Sequence, residues 1–491
     1  MKATVFIAGA SVMVVEILAS RVIAPYYGSS TYVWSALIAV VLASMSMGYY
    51  FGGRLADKEP SYRRLSWILL ASSVSVFVIP LLQDFILSLT RVIFNFTSGS
   101  IIASLVLLSP TGFFLGIVSP YAIRLSAKGT ESIGSTAGSL YALSTAGSIS
   151  GTLAAGFILI PYVKMSTIFF CVSLTLLACS ALLEYKTNRS SQKATLLVVF
   201  LCIPFFNLPY LYGRELVYME YTPYGRIIVD QNNVTRYLWF DDRADGSIRR
   251  GTGLTGYEYA NYFELPFLMN QNITDILVAG EGTGVGPRQV HMNHPNTRIT
   301  VSEIDPKVNE VAKKYFLFEE GDGIEVSVGD VRPLVRYGSK KYDYVILDAF
   351  RDTQQTPYYL LSREFFTELR GSMKPGGIVL MNIISPLKGP RSMMFQSIMR
   401  TMDGVFNHTQ VYPLSEDRTK IQNIIIVASN QPLVDKETLM SRAADTQVMN
   451  KTKIGSMIGR MLDEQMAVDG GVVLTDDYNP INHMYDSMRG Y

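Results

Sequence analysis

Glycine and carboxylate residues of this chain stand where a nucleotide-binding unit would need them. The apolar run 276–279 is followed by Gly280, Gly282 and Gly284, and glycines at that point let backbone amides approach a ligand. About twenty residues further on, Glu303 follows the predicted strand 298–302, from where a carboxylate can accept hydrogen bonds from ribose hydroxyls. This combination predicts a nucleoside site, and tight packing of a helix on a strand is the structural alternative.

Two aspartates follow later apolar runs in the same manner. Asp330 comes shortly after the predicted strand 324–328, and Asp348 directly follows the predicted strand 342–347. Ligands of open α/β sheets bind beyond the carboxyl ends of the strands, so both residues are candidates for chemistry. A helix-capping or turn role is the alternative for each of them.

The elements that carry these residues alternate between strands and helices. After Asp305 we predict helices at 306–315, 362–372 and 390–402, and further strands at 377–382 and 422–428. This alternation is typical of an α/β Rossmann-like domain. Ahead of it, the runs 226–230 and 236–241, joined by Asn232 and Asn233, predict a small β-hairpin element.

The first part of the chain is far more apolar than the rest. Runs long enough to span a bilayer occur at 4–23, 33–51, 65–82, 101–123, 134–160, 166–183 and 194–212. We therefore predict a polytopic α-helical membrane domain of six or seven spans at 1–212, the hairpin element at 213–250 and the Rossmann-like catalytic domain at 251–491. The small-residue run 134–156 predicts close helix packing.

The distribution of Lys and Arg between the spans predicts a cytoplasmic amino terminus. Seven spans would place the carboxy-terminal domain outside, whereas a re-entrant segment at 194–212, which contains Pro204 and Pro209, leaves six spans and a cytoplasmic domain. We favour six spans in the plasma membrane, with the lipid bilayer as a partner. The net charge of +2 argues against nucleic-acid binding, and all three cysteines lie in apolar runs, which suggests neither a disulfide nor a metal site. A homodimer is compatible with the sequence.

The motifs around these residues resemble one enzyme family. The segment 218–428 is similar to the spermidine synthase family of aminopropyltransferases, in the motifs VAGEGTGVGPRQV, VSEIDP, VGDVRPLV and YDYVILDAFRD. The chain as a whole resembles the membrane-fused version of that family. The matches specific to the fused proteins are Glu16, Arg21, Pro25, Gly28, Trp34 and the runs 48–57 and 473–480.

The resemblance implies that an amine attacks the methylene beside the sulfonium of decarboxylated S-adenosylmethionine, with no metal. Asp348 would orient the amine and accept its proton, Glu303 would hold the ribose, and Asp330 would face the adenine amine. The implied contacts to the sulfonium co-substrate are Gly280, Glu281, Gly282, Thr283, Gly284, Glu303, Asp305 and Asp330. Those implied for the polyamine are Asp352, Glu258, Tyr259 and Tyr478.

Two departures from the family pattern bear on the substrate. Thr283 stands where soluble members have an Asp that suits the ammonium of the aminopropyl group, and Glu281, which stands in place of a Gly, can compensate. A carboxylate at position 283 would repel the carboxylate of intact S-adenosylmethionine. Because Thr283 carries no such charge, intact S-adenosylmethionine also stays a candidate donor. Two alternatives to aminopropyl transfer therefore stay open. They are methyl or aminocarboxypropyl transfer to a membrane lipid, and a non-catalytic transporter that senses a nucleoside or polyamine.

Overall fold

The structure is a computed structural model that describes residues 1–27, 31–94, 96–127, 133–185, 215–241, 243–349, 357–445, 451–462, 470–481 and 483–484. The chain divides into two compact units. One comprises Met1–Tyr212 with Tyr221–Gly225, and the other comprises Gly213–Glu220 with Arg226–Tyr491. The described part of the first unit is mainly helical, and the second combines helices with two β-sheets.

Six long helices build the described part of the first unit. They are α1 (Lys2–Tyr27), α2 (Thr31–Lys58), α3 (Tyr62–Ile93), α4 (Phe96–Ser126), α5 (Ile133–Ala154) and α6 (Met165–Tyr185), with a π turn at Ala155–Leu159 and a short turn at Ile160–Tyr162 after α5. By length and composition, all six could cross a membrane. The predicted polytopic helical fold is confirmed in this respect. The segment 194–212 lies outside the described residues, so the choice between six and seven spans stays a prediction.

Glycines let the backbones of two helix pairs touch. A Cβ atom on Gly147 of α5 would lie 2.1 Å from the carbonyl oxygen of Phe6 in α1, and one on Gly48 of α2 would lie 2.3 Å from that of Phe113 in α4. Small residues drive helix association in membranes because they allow this close approach. The packing role predicted for the run 134–156 is confirmed at Gly147 and Gly151, whereas Gly134 and Gly138 have nothing within 4 Å of such an atom.

Serine pairs join α3 to α6. The hydroxyls of Ser66 and Ser180 each donate to the other residue's carbonyl oxygen, at 2.8 Å and 2.6 Å, and Ser73 and Ser173 repeat the arrangement at 2.7 Å and 2.9 Å. All four serines are fully buried. Such pairs satisfy polar groups where no water is present, so they fix the register of the two helices.

A four-stranded antiparallel sheet opens the second unit. Its strands β1 (Glu215–Thr222), β2 (Gly225–Gln231), β3 (Thr235–Phe240) and β4 (Arg243–Arg249) are arranged in sequence order. The predicted hairpin corresponds to β2 and β3, whose turn is held by the Asn232 side chain accepting from the amides of Val234 and Thr235. The sequence interpretation missed β1 and β4, so the element is larger than the hairpin predicted.

A seven-stranded mixed sheet forms the core of the second unit. Its strands are β5 (Asp275–Ala279), β6 (Arg298–Glu303), β7 (Ile324–Val328), β8 (Tyr342–Leu347), β9 (Met373–Ser385), β10 (His408–Pro413) and β11 (Gln422–Ser429). The order is β10-β11-β9-β8-β5-β6-β7. From β9 to β7 neighbouring strands are parallel, whereas β11 pairs antiparallel with both β9 and β10. The predicted Rossmann-like fold is confirmed, and β10 is the strand that the sequence interpretation missed.

Helices cover this sheet. After a 3-10 turn at Glu258–Glu264 they are α7 (Leu265–Met269), α8 (Val285–Asn293), α9 (Pro306–Tyr315), α10 (Val331–Tyr337), α11 (Arg363–Gly371), α12 (Met393–Asp403), α13 (Lys436–Asp445) and α14 (Lys451–Gly459). The amphipathic α11 and α12 bury Phe365, Phe366 and Phe395 in the same apolar cluster as strand residues such as Val345. This packing fixes the strands whose carboxyl ends carry the candidate residues.

We expect Gly147→Ala to destabilise the helical unit, because the added methyl group meets the Phe6 backbone. Overpacking of this kind costs about 1–3 kcal/mol, so the midpoint of thermal unfolding in detergent should fall. Gly138→Ala is the matched control, since its Cβ meets nothing. Equal midpoints for the two variants would contradict the close contact between α1 and α5.

Candidate active site

The glycine turn after β5 depends on three residues in the left-handed region. Gly280, Gly282 and Gly284 have φ angles of 93°, 52° and 66°, which side-chain-bearing residues rarely adopt. A Cβ atom on Gly280 would lie 2.7 Å from the carbonyl oxygen of Asp348, and one on Gly284 would lie 2.4 Å from the Phe318 ring. The glycine turn therefore packs directly against the end of β8, next to Asp348, the principal candidate for catalysis.

The Glu303 carboxylate is held at the end of β6 by backbone amides. One oxygen accepts from the Glu281 amide at 3.0 Å, and the other accepts from the Asp305 amide at 2.9 Å. Only 6% of the residue is exposed. These bonds fix the orientation of the side chain, so Glu303 presents a fixed acceptor beside the glycine turn.

Glu281 is a buried carboxyl group without a hydrogen-bond partner among the described residues. It is 4% exposed, and both of its side-chain oxygens are unpartnered. Burial, with a further contribution from the nearby charges of Glu303 and Glu320, raises its pKa to about 9, although Lys313 acts in the opposite direction. At neutral pH this side chain is therefore a neutral acid.

Thr283 packs against the four-stranded sheet. A Cβ atom on Gly246 of β4 would lie 2.4 Å from the Thr283 methyl carbon, and the Thr283 hydroxyl accepts from the Val285 amide at 3.4 Å. The residue is 8% exposed. A glycine at 246 is thus required for β4 to lie over the turn.

Asp330 and Asp305 both begin helices. An Asp330 oxygen accepts from the Arg332 amide at 2.8 Å, and its other oxygen accepts from the Tyr359 hydroxyl at 2.7 Å. Asp305 accepts from the Lys307 amide at 3.0 Å and is only 1% exposed. Both residues are N-caps, so the capping alternative holds for each, and the predicted contacts to the nucleoside stay predictions.

Asp348 lies at the centre of a polar cluster beyond the end of β8. One oxygen accepts from the Asn382 side-chain amide at 2.9 Å, and the carboxyl is also hydrogen-bonded to the Tyr259 hydroxyl. Burial, with a further contribution from the nearby charge of Asp245, raises the pKa of Asp348 to about 7 against the opposing effect of its hydrogen bonds to Asn382 and Tyr259. A carboxyl group with such a pKa can accept a proton near neutral pH.

The two hydrogen-bond partners of Asp348 are themselves held in place. The Asn423 side-chain amide donates to the Asn382 oxygen at 3.0 Å, which leaves the Asn382 amide group to donate to Asp348. Tyr259 is held by ring contacts with Tyr257 and Phe263 at centroid distances of 6.1 Å and 6.2 Å. The hydrogen-bonding geometry of Asp348 is therefore built by β9, β11 and the turn before α7.

Sequence reasoning missed three residues of this cluster. Asn382 interrupts the apolar run of β9 and was an available signal, whereas Asn423 lies at the polar start of β11. Asp245 belongs to β4, which the sequence interpretation did not recognise. Its proximity to Asp348 and Tyr259 arises from the tertiary fold.

Four residues are predicted to contact the polyamine, namely Asp352, Glu258, Tyr259 and Tyr478. Glu258 forms a salt bridge with Arg460 at 2.8 Å, and Tyr478 is 59% exposed in a turn closed by Thr475. Asp352 lies outside the described residues. Of the three members of this set that the structure describes, only Tyr259 contacts Asp348, and the substrate roles of all four stay predictions. Among the described residues, no group of three or more potential metal ligands occurs.

Comparisons with known proteins agree on the carboxy-terminal half. Residues 261–438 match the family model described as "Spermine/spermidine synthase domain". A probable polyamine aminopropyl transferase of Bifidobacterium longum is 29% identical over 243 residues, which are 47% of this chain and 52% of that protein. The match thus spans about half the length of this relative.

Other similarities extend further along the chain. A polyamine aminopropyltransferase of Aquifex aeolicus is 21% identical over 403 residues, covering 77% of this chain and 78% of that protein. Among solved structures, a probable spermidine synthase from Corynebacterium glutamicum is matched along its whole length and 53% of this chain, with 19% identity and a TM-score of 0.39.

The neutral state of Glu281 predicts a pH-dependent stability. Its pKa in the folded protein, about 9, exceeds the ordinary value of 4.5, so the folded state binds the extra proton between these values and loses stability as the pH rises through that window. Glu281→Gln mimics the neutral acid and should flatten the decline of the unfolding midpoint between pH 6 and pH 9, a range set roughly by this window. Glu416→Gln, at an exposed turn, is the control. A parallel decline in wild type and Glu281→Gln would mean that Glu281 is ionised in the folded protein.

Proposed function

The chain carries a spermine/spermidine synthase domain at residues 261–438, and from this we propose that the protein is a membrane-anchored polyamine aminopropyltransferase. It transfers the aminopropyl group of decarboxylated S-adenosylmethionine to an amine such as putrescine. The observation that carries this proposal is Asp348, a proton acceptor with a pKa of about 7 held between Asn382 and Tyr259 at the carboxyl edge of the sheet.

The reaction needs little beyond positioning and proton transfer. The amine nitrogen attacks the methylene beside the sulfonium, the carbon–sulfur bond breaks, and its electron pair stays on sulfur to give neutral methylthioadenosine. The nitrogen loses a proton, which Asp348 accepts directly or through water. Tyr259 and Asn382 orient the carboxylate, and Asp245 adds negative charge near a sulfonium and a polyamine, both of which are cations.

The nucleoside part of the donor occupies the carboxyl ends of β5 to β7 in this proposal. Glu303, whose carboxylate is oriented by the Glu281 and Asp305 amides, accepts from the ribose hydroxyls. Backbone amides of Gly280, Gly282 and Gly284 approach the donor, and Asp330 faces the adenine amine. The arrangement is supported by the adjacency of β8, β5, β6 and β7, which brings all these positions to one edge.

The helical half anchors the enzyme to a membrane in this proposal. Six apolar helices support the anchor, and the predominance of Lys and Arg on one side of the spans supports a cytoplasmic catalytic domain at the plasma membrane. A reporter protein fused to the chain after Tyr221 tests this orientation. Cytoplasmic activity of the reporter supports the proposal, and an external location contradicts it.

One observation favours a second function. Thr283 removes a carboxylate from the glycine turn, and intact S-adenosylmethionine carries a carboxylate that such a group would repel. Transfer of a methyl or aminocarboxypropyl group to a lipid acceptor is therefore the alternative, and it yields S-adenosylhomocysteine or methylthioadenosine from the intact donor alone.

Replacing the proton acceptor tests the proposed function. Asp348→Asn should lower kcat with decarboxylated S-adenosylmethionine and putrescine by roughly 100- to 10,000-fold, while the affinity for methylthioadenosine stays within a few-fold. Asp435→Asn, an exposed helix cap at which asparagine serves equally well, is the matched control. Turnover retained by Asp348→Asn would refute the catalytic role, and a wild type inactive with this donor would refute the function.

The acid limb of the pH profile should follow the environment of Asp348. This residue must be ionised to accept a proton, so kcat/KM should fall as the pH decreases through about 7. Asn382→Ala removes a hydrogen bond that favours the ionised form, raises the pKa and should move the limb to higher pH. The amine substrate titrates in the same way with wild type and with Asn382→Ala, so the difference between their two pH profiles reports on Asp348. An unmoved limb would show that Asp348 does not govern it.

A further inference from the structure

The donor in the proposed reaction ends in an ammonium group that needs a negative partner. A cation buried without compensation is costly, and a carboxylate within hydrogen-bond distance offsets that cost. The glycine turn itself offers a hydroxyl at Thr283, which cannot carry this charge. An anion that meets the arm of the donor must therefore come from Glu281 or from another part of the fold.

Thr283 lies directly against strand β4. Its methyl carbon lies against the Gly246 backbone of β4, with 2.4 Å to the position of a Cβ atom there. The strand β4 thus covers the turn at the residue where a carboxylate is missing. The residue before Gly246 in this strand is Asp245.

Asp245 faces both the turn and the catalytic cluster. Its Oδ2 atom lies 3.8 Å from the Cβ position on Gly282 and is the nearest side-chain atom there. Its charge acts on Asp348 and on Tyr259, whose hydroxyl is bonded to Asp348. Asp245 is therefore close both to the glycine turn and to the proposed proton acceptor, and the arm of a donor must pass from one to the other to bring its methylene to the amine.

The glycine turn has a carboxyl group of its own, that of Glu281, and it is oriented differently. The side chain of Glu281 is buried, and the charges that act on it are those of Glu303, Glu320 and Lys313. Of these, Glu303 is the residue that is proposed to bind the ribose. Neither Asp245 nor Asp348 is among them. A compensating role toward the arm thus belongs to Asp245 rather than to Glu281.

Resting on the proposed function, we infer that Asp245 binds the terminal ammonium of the aminopropyl arm and selects the decarboxylated donor. The arm of decarboxylated S-adenosylmethionine ends in an ammonium alone, whereas the intact donor carries a carboxylate on the same carbon. Two aspartates, Asp245 and Asp348, repel that carboxylate. The four-stranded sheet thereby supplies the charge that the glycine turn lacks, and it determines donor specificity.

Binding measurements on the full-length protein in detergent test this role without relying on turnover. Titration calorimetry compares methylthioadenosine, which has no ammonium arm, with decarboxylated and intact S-adenosylmethionine. Asp245→Asn should weaken binding of the decarboxylated donor by roughly 10- to 100-fold, leave methylthioadenosine within about two-fold and narrow the preference over the intact donor. The unchanged methylthioadenosine affinity shows that the variant is folded.

A double variant tests whether a carboxylate at another position restores binding of the decarboxylated donor. The double variant Asp245→Asn with Thr283→Asp keeps the net charge and returns a carboxylate to the turn, so it should recover most of the lost affinity for the decarboxylated donor. Asp417→Asn, at an exposed turn, is the control for the chemical change. Equal losses of affinity for methylthioadenosine and the decarboxylated donor would make Asp245 a structural residue and overturn the inference.

The outcome also separates this inference from the proposed function. If wild type turns over the decarboxylated donor and Asp245→Asn retains wild-type affinity for it, the function stands and the role of Asp245 is refuted. If wild type binds methylthioadenosine but prefers the intact donor, both the proposed function and the selectivity assigned to Asp245 are refuted.

Discussion

The contact between the glycine turn and the end of β8 is the constraint on which the site depends. The position of a Cβ atom on Gly280 lies 2.7 Å from the Asp348 carbonyl oxygen and 3.0 Å from the Ala349 Cα atom, so only glycine fits there. The Asp348 amide in turn donates to the Ala279 carbonyl oxygen at 3.0 Å. The glycine turn and Asp348 are therefore positioned by a single junction between two parallel strands, and displacement of one would displace the other.

Three carboxyl groups near this junction have different roles because their surroundings differ. Glu303 is fixed by two backbone amides, Glu281 is neutral in an unpartnered buried position, and Asp348 has a pKa of about 7 because burial and Asp245 outweigh its hydrogen bonds. The same functional group thus serves as a fixed acceptor, a neutral acid and a base. A fixed acceptor and a base are what the proposed aminopropyl transfer uses at neutral pH.

Local patterns in the sequence predicted the part of the site that lies on consecutive parallel strands. Buried apolar runs followed by glycine or a carboxylate are local features, and they located Gly280, Glu303 and Asp348 correctly on the fold. Asp245 was missed because it reaches the site from β4 only through tertiary packing, and Asn382 because its contact depends on the register between β9 and β11. The sequence shows that Asp330 and Asp305 follow strands, but it cannot tell capping from ligand binding, since the same carboxylate suits both.

Isotope tracing of the transferred carbon chain tests the central claim most directly. Purified full-length protein is incubated with putrescine and decarboxylated S-adenosylmethionine deuterated in its propyl methylenes, and the products are separated by mass spectrometry. The account predicts that all of the label appears in the polyamine, with one aminopropyl group gained, and that methylthioadenosine is unlabelled. Label in no polyamine, with the labelled donor recovered unchanged, would contradict it.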